Sequence, residues 1–259
     1  MEVEGVARAA RRDYSSIHTT THPGRHDCNF SANRCHLTYN GLICDLDGTL
    51  LDSLADLGES MNTVLAADGL PLHPLSAYRY FVGDGVEMLA ERSLPPSLRS
   101  PETVAEMARR MREVYAGRWS VHTKPYPGIN QMLAQAQEVG LTLAVLSNKV
   151  DRFTREMVGH FFPQVPFAAV VGAKTGVPNK PHPQSVLQLA GDLGLEPGQC
   201  IFLGDTPVDM KTANAAGMFA AGVLWGFRGE EELKQAGARR LLAHPSELAG
   251  LIAGETARI

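Results

Sequence analysis

The feature that most limits the folds open to this chain is a set of short, almost uninterrupted apolar runs. They are Gly41 to Cys44, Leu141 to Leu146, Phe167 to Val171, Cys200 to Leu203 and Phe219 to Leu224. A strand with one wet face alternates apolar and polar residues. A run that is apolar throughout must be covered on both faces, which is the mark of a parallel sheet between helical layers. Helical patterns separate the runs. Pro127-Gly128 precedes one, with Met132, Leu133 and Ala136 on a face. Asp151 opens another, with Phe153, Met157 and Phe161 in register. Pro183 opens a third, carrying Val186, Leu187, Ala190 and Leu193, and Thr206-Pro207 opens a fourth. Thr206 can cap that helix and Pro207 suits its first position. Strand and helix in alternation predict an α/β domain with right-handed crossovers.

Between Cys44 and Leu141 there is far more chain than one crossover helix needs. The excess, about Ala55 to Lys124, carries helical stripes: Leu54, Leu57, Met61, Val64 and Leu65, then Val104, Met107, Met111, Val114 and Tyr115. An all-helical insertion after the first strand is expected to cap the ends of the sheet. The expected division is a core of residues 41–54 and 125–254, with a cap of 55–124 inserted in it.

Residues 1–40 have another character. Few are aliphatic and no period is visible, so this segment buries too little apolar surface to offset its ordering entropy. It reads as a disordered extension, or as sequence upstream of the true start. Arg8, Arg11 and Arg12 suggest a transit peptide, but Glu2 and Glu4 argue against one. His18, His22, His26, Cys28, Cys35 and His36 are metal-type donors there, yet no Cys-x-x-Cys pair or matching His pair frames a site, and they read as coincidence.

A net charge of −4 leaves no basic field for nucleic acid or an anionic membrane. No apolar run approaches the ~20 residues of a membrane span, and the N-terminus lacks the apolar stretch of a signal peptide. Cys44 and Cys200 lie in strand-like runs and read as buried free thiols. The expectation is a cytoplasmic protein, monomer or homodimer, without nucleic acid or membrane as partner.

In an open α/β sheet, ligands bind at the carboxyl ends of the strands. The first run ends in Asp45-Leu46-Asp47-Gly48-Thr49, where Gly48 lets the chain turn so that both acids can face one site. The second ends in Ser147-Asn148, a hydroxyl and an amide suited to phosphate oxygens. The fourth ends in Gly204-Asp205-Thr206-Pro207-Val208-Asp209, and Lys180 lies among prolines in Asn179-Lys180-Pro181-His182-Pro183. Each piece has a plainer reading: a turn with solvated acids, a helix cap, a surface lysine, a capping box between Thr206 and Asp209. Together they point elsewhere. Carboxylates gathered at one sheet edge repel each other unless a cation sits among them. Oxygen ligands without His or Cys suit Mg²⁺, and a lysine with a hydroxyl completes a phosphate site.

The ordered set resembles the haloacid dehalogenase superfamily of phosphotransferases over about residues 41–254. The resemblance implies a Rossmann-like parallel sheet core with an inserted all-helical cap of the family's first class (C1). It implies catalytic roles for Asp45, Asp47, Ser147 and Lys180. Asp45 would attack phosphorus and Asp47 would protonate the leaving oxygen, then activate water. Ser147 and Lys180 would bind the phosphoryl group. Mg²⁺ would be held by the Asp45 carboxylate, the Asp47 carbonyl and Asp205, with Asp209 in support. Asp47 argues against a dehalogenase, whose halide needs no acid, and Thr49 against the sugar phosphomutases, which usually have Val there.

Within the superfamily the chain is similar to phosphoglycolate phosphatases at Phe81 to Leu89 with Glu91-Arg92, at Ser147-Asn148-Lys149, and at Val223 to Arg228. This implies hydrolysis of a small phosphorylated metabolite, 2-phosphoglycolate first. Pyrophosphatase, nucleotidase, phosphomutase and a non-catalytic binding protein are the alternatives. Gly83 and Gly85 flank a helix start whose amides can hold a small anion, or they form a hinge for the cap. Arg79 can pair with a substrate carboxylate. Thr49 and Asn148 complete the candidate substrate contacts.

Overall fold

The computed structural model of the protein describes residues 39–254. The N-terminal extension and its His/Cys group therefore lie outside the described residues, Tyr39 and Asn40 excepted.

The strands are β1 Gly41–Cys44, β2 Leu51–Asp52, β3 Lys124–Pro125, β4 Thr142–Val150, β5 Ala169–Ala173, β6 Cys200–Gly204, β7 Phe219–Val223 and β8 Arg240–Leu242. The helices are α1 Leu54–Ala67, α2 Leu75–Phe81, α3 Val86–Ser93, α4 Pro101–Ala116, α5 Ile129–Glu138, α6 Asp151–Phe161, α7 Gln184–Asp192, α8 Pro207–Ala215, α9 Glu230–Gln235 and α10 Leu248–Ile252. Six strands form one parallel sheet in the order β5-β4-β1-β6-β7-β8, while β2 and β3 make a separate antiparallel pair.

The apolar runs are explained by cover on both faces. Leu42 and Cys44 pack with Leu143, Val145 and Ile129 on one side of the sheet. Ile43 joins Ala144, Phe202, Val186 and Met210 on the other. Both faces are dry, so neither needs polar residues. The order also places the site. β1 lies between β4 and β6, and the chain leaves it toward opposite sides, which opens a crevice beyond its carboxyl end.

The α/β core with a helical cap is what the sequence pattern predicts, with differences of detail. β8 is a sixth core strand that the pattern does not announce. Leu187, expected in a buried stripe, is 40 % exposed on α7. α1 to α4 form the cap and share an apolar cluster, with Met61, Leu65, Tyr78, Leu89 and Met111 buried, that also takes in Phe153 and Phe227 of the core. Two short helices, α2 and α3, stand between the two striped ones.

Where the cap rejoins the core, Asp56 of α1 is fully buried. Its carboxylate accepts from the His122 and Thr123 amides and from the Thr123 hydroxyl at 2.7–3.0 Å, which ties the returning chain to the departing one. The cap is also tied across the crevice. Arg79 of α2 donates to the carbonyls of Gly226 at 2.5 Å and Phe227 at 3.2 Å. Arg228 reaches back to the Val82 carbonyl at 3.2 Å, and Asn148 to that of Gly83 at 3.1 Å. Among the described residues no helix is long and apolar enough to cross a membrane.

Candidate active site

β1 delivers Asp45 to the crevice. Cys44 pairs with Val145 on one side and Leu203 on the other, and the Asp45 amide bonds to the Leu203 carbonyl at 2.9 Å. The chain then turns at Gly48, whose φ of 90° belongs to the left-handed region. Space forbids a side chain there as well. A Cβ on Gly48 would stand 2.3 Å from Asp205 Oδ2, and one on Gly226 would stand 2.3 Å from Asp205 Cβ. Two glycines thus allow the backbone to close around Asp205.

Asp45, Asp205 and Asp209 each bring a carboxylate oxygen within 4.8 Å of the others, and all three are buried. Lys180 reaches in from the loop between β5 and α7. Its ammonium, 2 % exposed, lies 2.7 Å from Asp45 Oδ1 and 2.7 Å from Asp209 Oδ1. One cation among three buried acids leaves net negative charge. Burial pushes the Asp45 carboxyl up to about 7, against the pull of Lys180 and with Asp209 adding to the rise. Asp205 is driven well above the usual carboxylate range by burial, then by Asp209 and Asp45. Burial disfavours the Lys180 charge, but Asp209 and Asp45 outweigh it and hold its pKa above the ordinary lysine value. Such a cluster of hard oxygen donors is suited to a small divalent cation.

The structure divides the remaining sequence candidates in two groups. Asp47 and Ser147 line a cavity with Asp45 beneath the cap, and Gly83, Gly85 and Asn148 edge it. Asp47 is held by the Ser53 hydroxyl at 2.5 Å and by Lys149 Nζ at 2.9 Å. The Ser147 oxygen accepts from the Lys149 amide at 3.2 Å. The second group is bonded to protein partners, and Asn148 belongs to both. Thr49, fully buried, donates to Asp205 Oδ1 at 2.9 Å. The Asn148 side chain brackets Lys180, accepting from its amide at 2.9 Å and donating to its carbonyl at 3.0 Å. Arg79 lies outside the cavity lining and spends its donors on the 226–227 carbonyls. Asp209 does two jobs: Oδ1 meets Lys180, while Oδ2 accepts from the Thr206 amide and hydroxyl at 3.0 and 2.7 Å.

Sequence reasoning overlooks three residues here. Lys149 is quoted in its motif but has no role assigned. It is 6 % exposed, paired with Asp47, and 4.5 Å from the centre of the Tyr115 ring. Arg112 of α4 lines the cavity from above. Ser53 orients Asp47 from within a buried position. A lysine directly after Ser-Asn at a strand end is the one signal that could have been followed.

Known proteins resemble this chain in sequence and fold. A curated phosphoglycolate phosphatase of Mannheimia succiniciproducens is 33% identical over 190 residues, covering 71% of this chain and 84% of its own. One from Haemophilus influenzae is 32% identical over 189 residues, with 71% and 84% covered. A solved structure from Lactobacillus delbrueckii subsp. bulgaricus, whose proposed activity is phosphoglycolate phosphatase, superposes with a TM-score of 0.79 at 27% identity, over 84% of this chain and 99% of that one. The sequence model for the haloacid dehalogenase-like hydrolases matches residues 42–223. The chain belongs to the haloacid dehalogenase-like hydrolase family.

Proposed function

We propose that this protein is a Mg²⁺-dependent phosphatase that hydrolyses a small phosphorylated acid, 2-phosphoglycolate first, through an aspartyl-phosphate on Asp45. The observation that carries this reading is one cavity of about 70 Å³ with Asp45, Asp47 and Ser147 on its floor and cap residues over it.

In this reading the Asp45 carboxylate attacks phosphorus as the bond to the leaving oxygen breaks, and Asp47 supplies the proton that oxygen needs. Asp47 then takes a proton from the water that attacks the acyl phosphate, releasing inorganic phosphate and restoring Asp45. Ser53 and Lys149 hold the Asp47 carboxyl on the cavity side. Lys180 and the Ser147 hydroxyl bind phosphoryl oxygens, and the closed cap keeps other water out. Asp45, Asp205 and Asp209, with the Asp47 carbonyl, would hold the metal. When bound, Mg²⁺ cancels the repulsion between carboxylate and phosphate and stabilises charge in transfer. Thr49 and Arg79 act through Asp205 and the 226–227 loop, and Asn148, which also lines the cavity, positions Lys180. The division into a core and a cap of residues 55–124 is part of this reading, as are a cytoplasmic site of action and a monomer or homodimer. The buried free thiols Cys44 and Cys200 support the reducing compartment.

The test is kcat/KM across 2-phosphoglycolate, pyrophosphate, a nucleoside monophosphate and a hexose phosphate, with Mg²⁺ and with chelator. Phosphoglycolate should lead, and chelator should remove all turnover. If another substrate leads by tenfold or more, the substrate assignment fails. Full turnover in excess chelator refutes the metal dependence.

A further inference from the structure

We propose that Lys149 and Arg112 together form a subsite for a carboxylate on the leaving group, and that this pair sets the preference for acidic substrates. The inference rests on the phosphatase reading and deepens it.

The cavity has two chemical halves. Around Asp45 and Ser147 it is polar. Beyond them its walls are Leu57, Val86, Leu89, Met111 and Phe153, with Lys149 and Arg112 the only cationic side chains in the lining among the described residues. Neither is needed to neutralise Asp45, which has Lys180 at 2.7 Å. A phosphate bound at Asp45 therefore leaves these two cations, Lys149 paired with Asp47 and Arg112 with Glu87, lining the same cavity as whatever the phosphate carries.

Position makes the assignment specific. Lys149 Nζ lies 2.9 Å from Asp47 Oδ2. Asp47 is the group that must reach the leaving oxygen, so a substituent on that oxygen passes beside Lys149. In phosphoglycolate a single methylene separates the ester oxygen from the carboxylate, which puts that carboxylate within reach of the ammonium. The Tyr115 ring, 4.5 Å from Nζ, backs the ammonium and limits where it can go. Arg112 approaches from the cap. Its Nη1 bonds Glu87 at 2.8 Å, but Glu87 is 60 % exposed, and ion pairs of that kind are weak and readily exchanged. No other bond of the Arg112 guanidinium is found among the described residues, which leaves the rest of it to meet a substrate anion.

The arrangement also selects. Lys149 is 6 % exposed and already paired with Asp47, so a neutral substituent gains no charge-assisted bond from it while a carboxylate does. Because phosphate contacts are common to every substrate, discrimination has to arise in this second half of the cavity.

The experiment compares kcat/KM for 2-phosphoglycolate and for ethyl phosphate, in which a methyl group replaces the carboxylate. Wild type, Lys149→Met, Arg112→Met and Arg112→Lys are measured. The wild type should prefer phosphoglycolate by about 100-fold, the scale of a charge-assisted pair. Lys149→Met should lower turnover of both substrates, because the same lysine holds Asp47, and should lower phosphoglycolate by about tenfold more than ethyl phosphate, so that the preference narrows. Arg112→Met should raise KM for phosphoglycolate about tenfold with ethyl phosphate unchanged, and Arg112→Lys should recover part of the loss. If both substrates fall in parallel in Lys149→Met, that lysine only orients Asp47 and the subsite is wrong. An unchanged preference in Arg112→Met, at a partly exposed position where folding is not at issue, overturns the pairing on its own. A wild type that favours ethyl phosphate overturns the subsite while the phosphatase reading stands. Absence of phosphate release from every ester overturns the phosphatase reading itself.

Discussion

Asp45→Asn is expected to reduce phosphate release by on the order of 10⁴-fold or more, to the level of buffer, because an amide cannot replace a carboxylate as the attacking group. The substitution is close to isosteric. The amide that replaces the carboxylate keeps an oxygen to accept from Lys180, which lies 2.7 Å from Asp45 Oδ1. The fold should therefore survive. In metal-free protein the melting temperature should hold or rise, since one of three mutually repelling buried acids is removed. Turnover and thermal melting on the same preparation decide the matter. A folded Asp45→Asn protein that retains a tenth of wild-type turnover would rule out Asp45 as the nucleophile.

The second large effect is expected at Lys180, where function and stability fall together. Lys180 is 2 % exposed and neutralises two carboxylates at once. Lys180→Met leaves Asp45 and Asp209 buried without it. Removing one member of a buried ion pair costs about 3–5 kcal/mol, which for a chain of this size is roughly 6–20 °C in Tm. Mg²⁺ should restore part of that stability, because it supplies positive charge to the same oxygens. It should not restore turnover, because the phosphoryl group still lacks its ammonium donor. Calorimetry with and without Mg²⁺, beside a turnover assay, separates the two. An unchanged Tm, or normal turnover in the variant, would contradict the role given to this lysine.

How much of this is legible in the sequence follows from what each element depends on. β1 and the Asp45–Asp47 turn are legible because their causes are local: a short apolar run, an acid pair, and a glycine where φ is 90°. The cap stripes on α1 and α4 are legible because each is long enough to show a helical period. α2 and α3 do not stand out as separate helices, since seven and eight residues between Pro74 and Ser93 give too few turns for a stripe. β8 escapes because three residues beginning with Arg240 carry no alternation. Side-chain roles are least legible where partners are far apart in sequence. Asp56 looks like any acid in a first helical turn, yet its partners are His122 and Thr123 across the whole cap. Hydroxyls and amides suit phosphate, so the sequence points Thr49 and Asn148 toward the substrate. In the structure Thr49 also bonds Asp205 and Asn148 brackets the Lys180 peptide unit while lining the cavity, partners that no local pattern announces. Arg79 is drawn off in the same way, by main-chain carbonyls that no sequence pattern places beside it.

The most direct test of the account is to trap the covalent intermediate. Enzyme mixed briefly with 2-phosphoglycolate and Mg²⁺, quenched in acid and digested, is analysed by mass spectrometry. One phosphoryl group should appear on the peptide that contains Asp45, labile to hydroxylamine as an acyl phosphate is, and absent when chelator replaces Mg²⁺. Rapid turnover with no phosphoryl group on any peptide, or with the label on a residue other than Asp45, would contradict it.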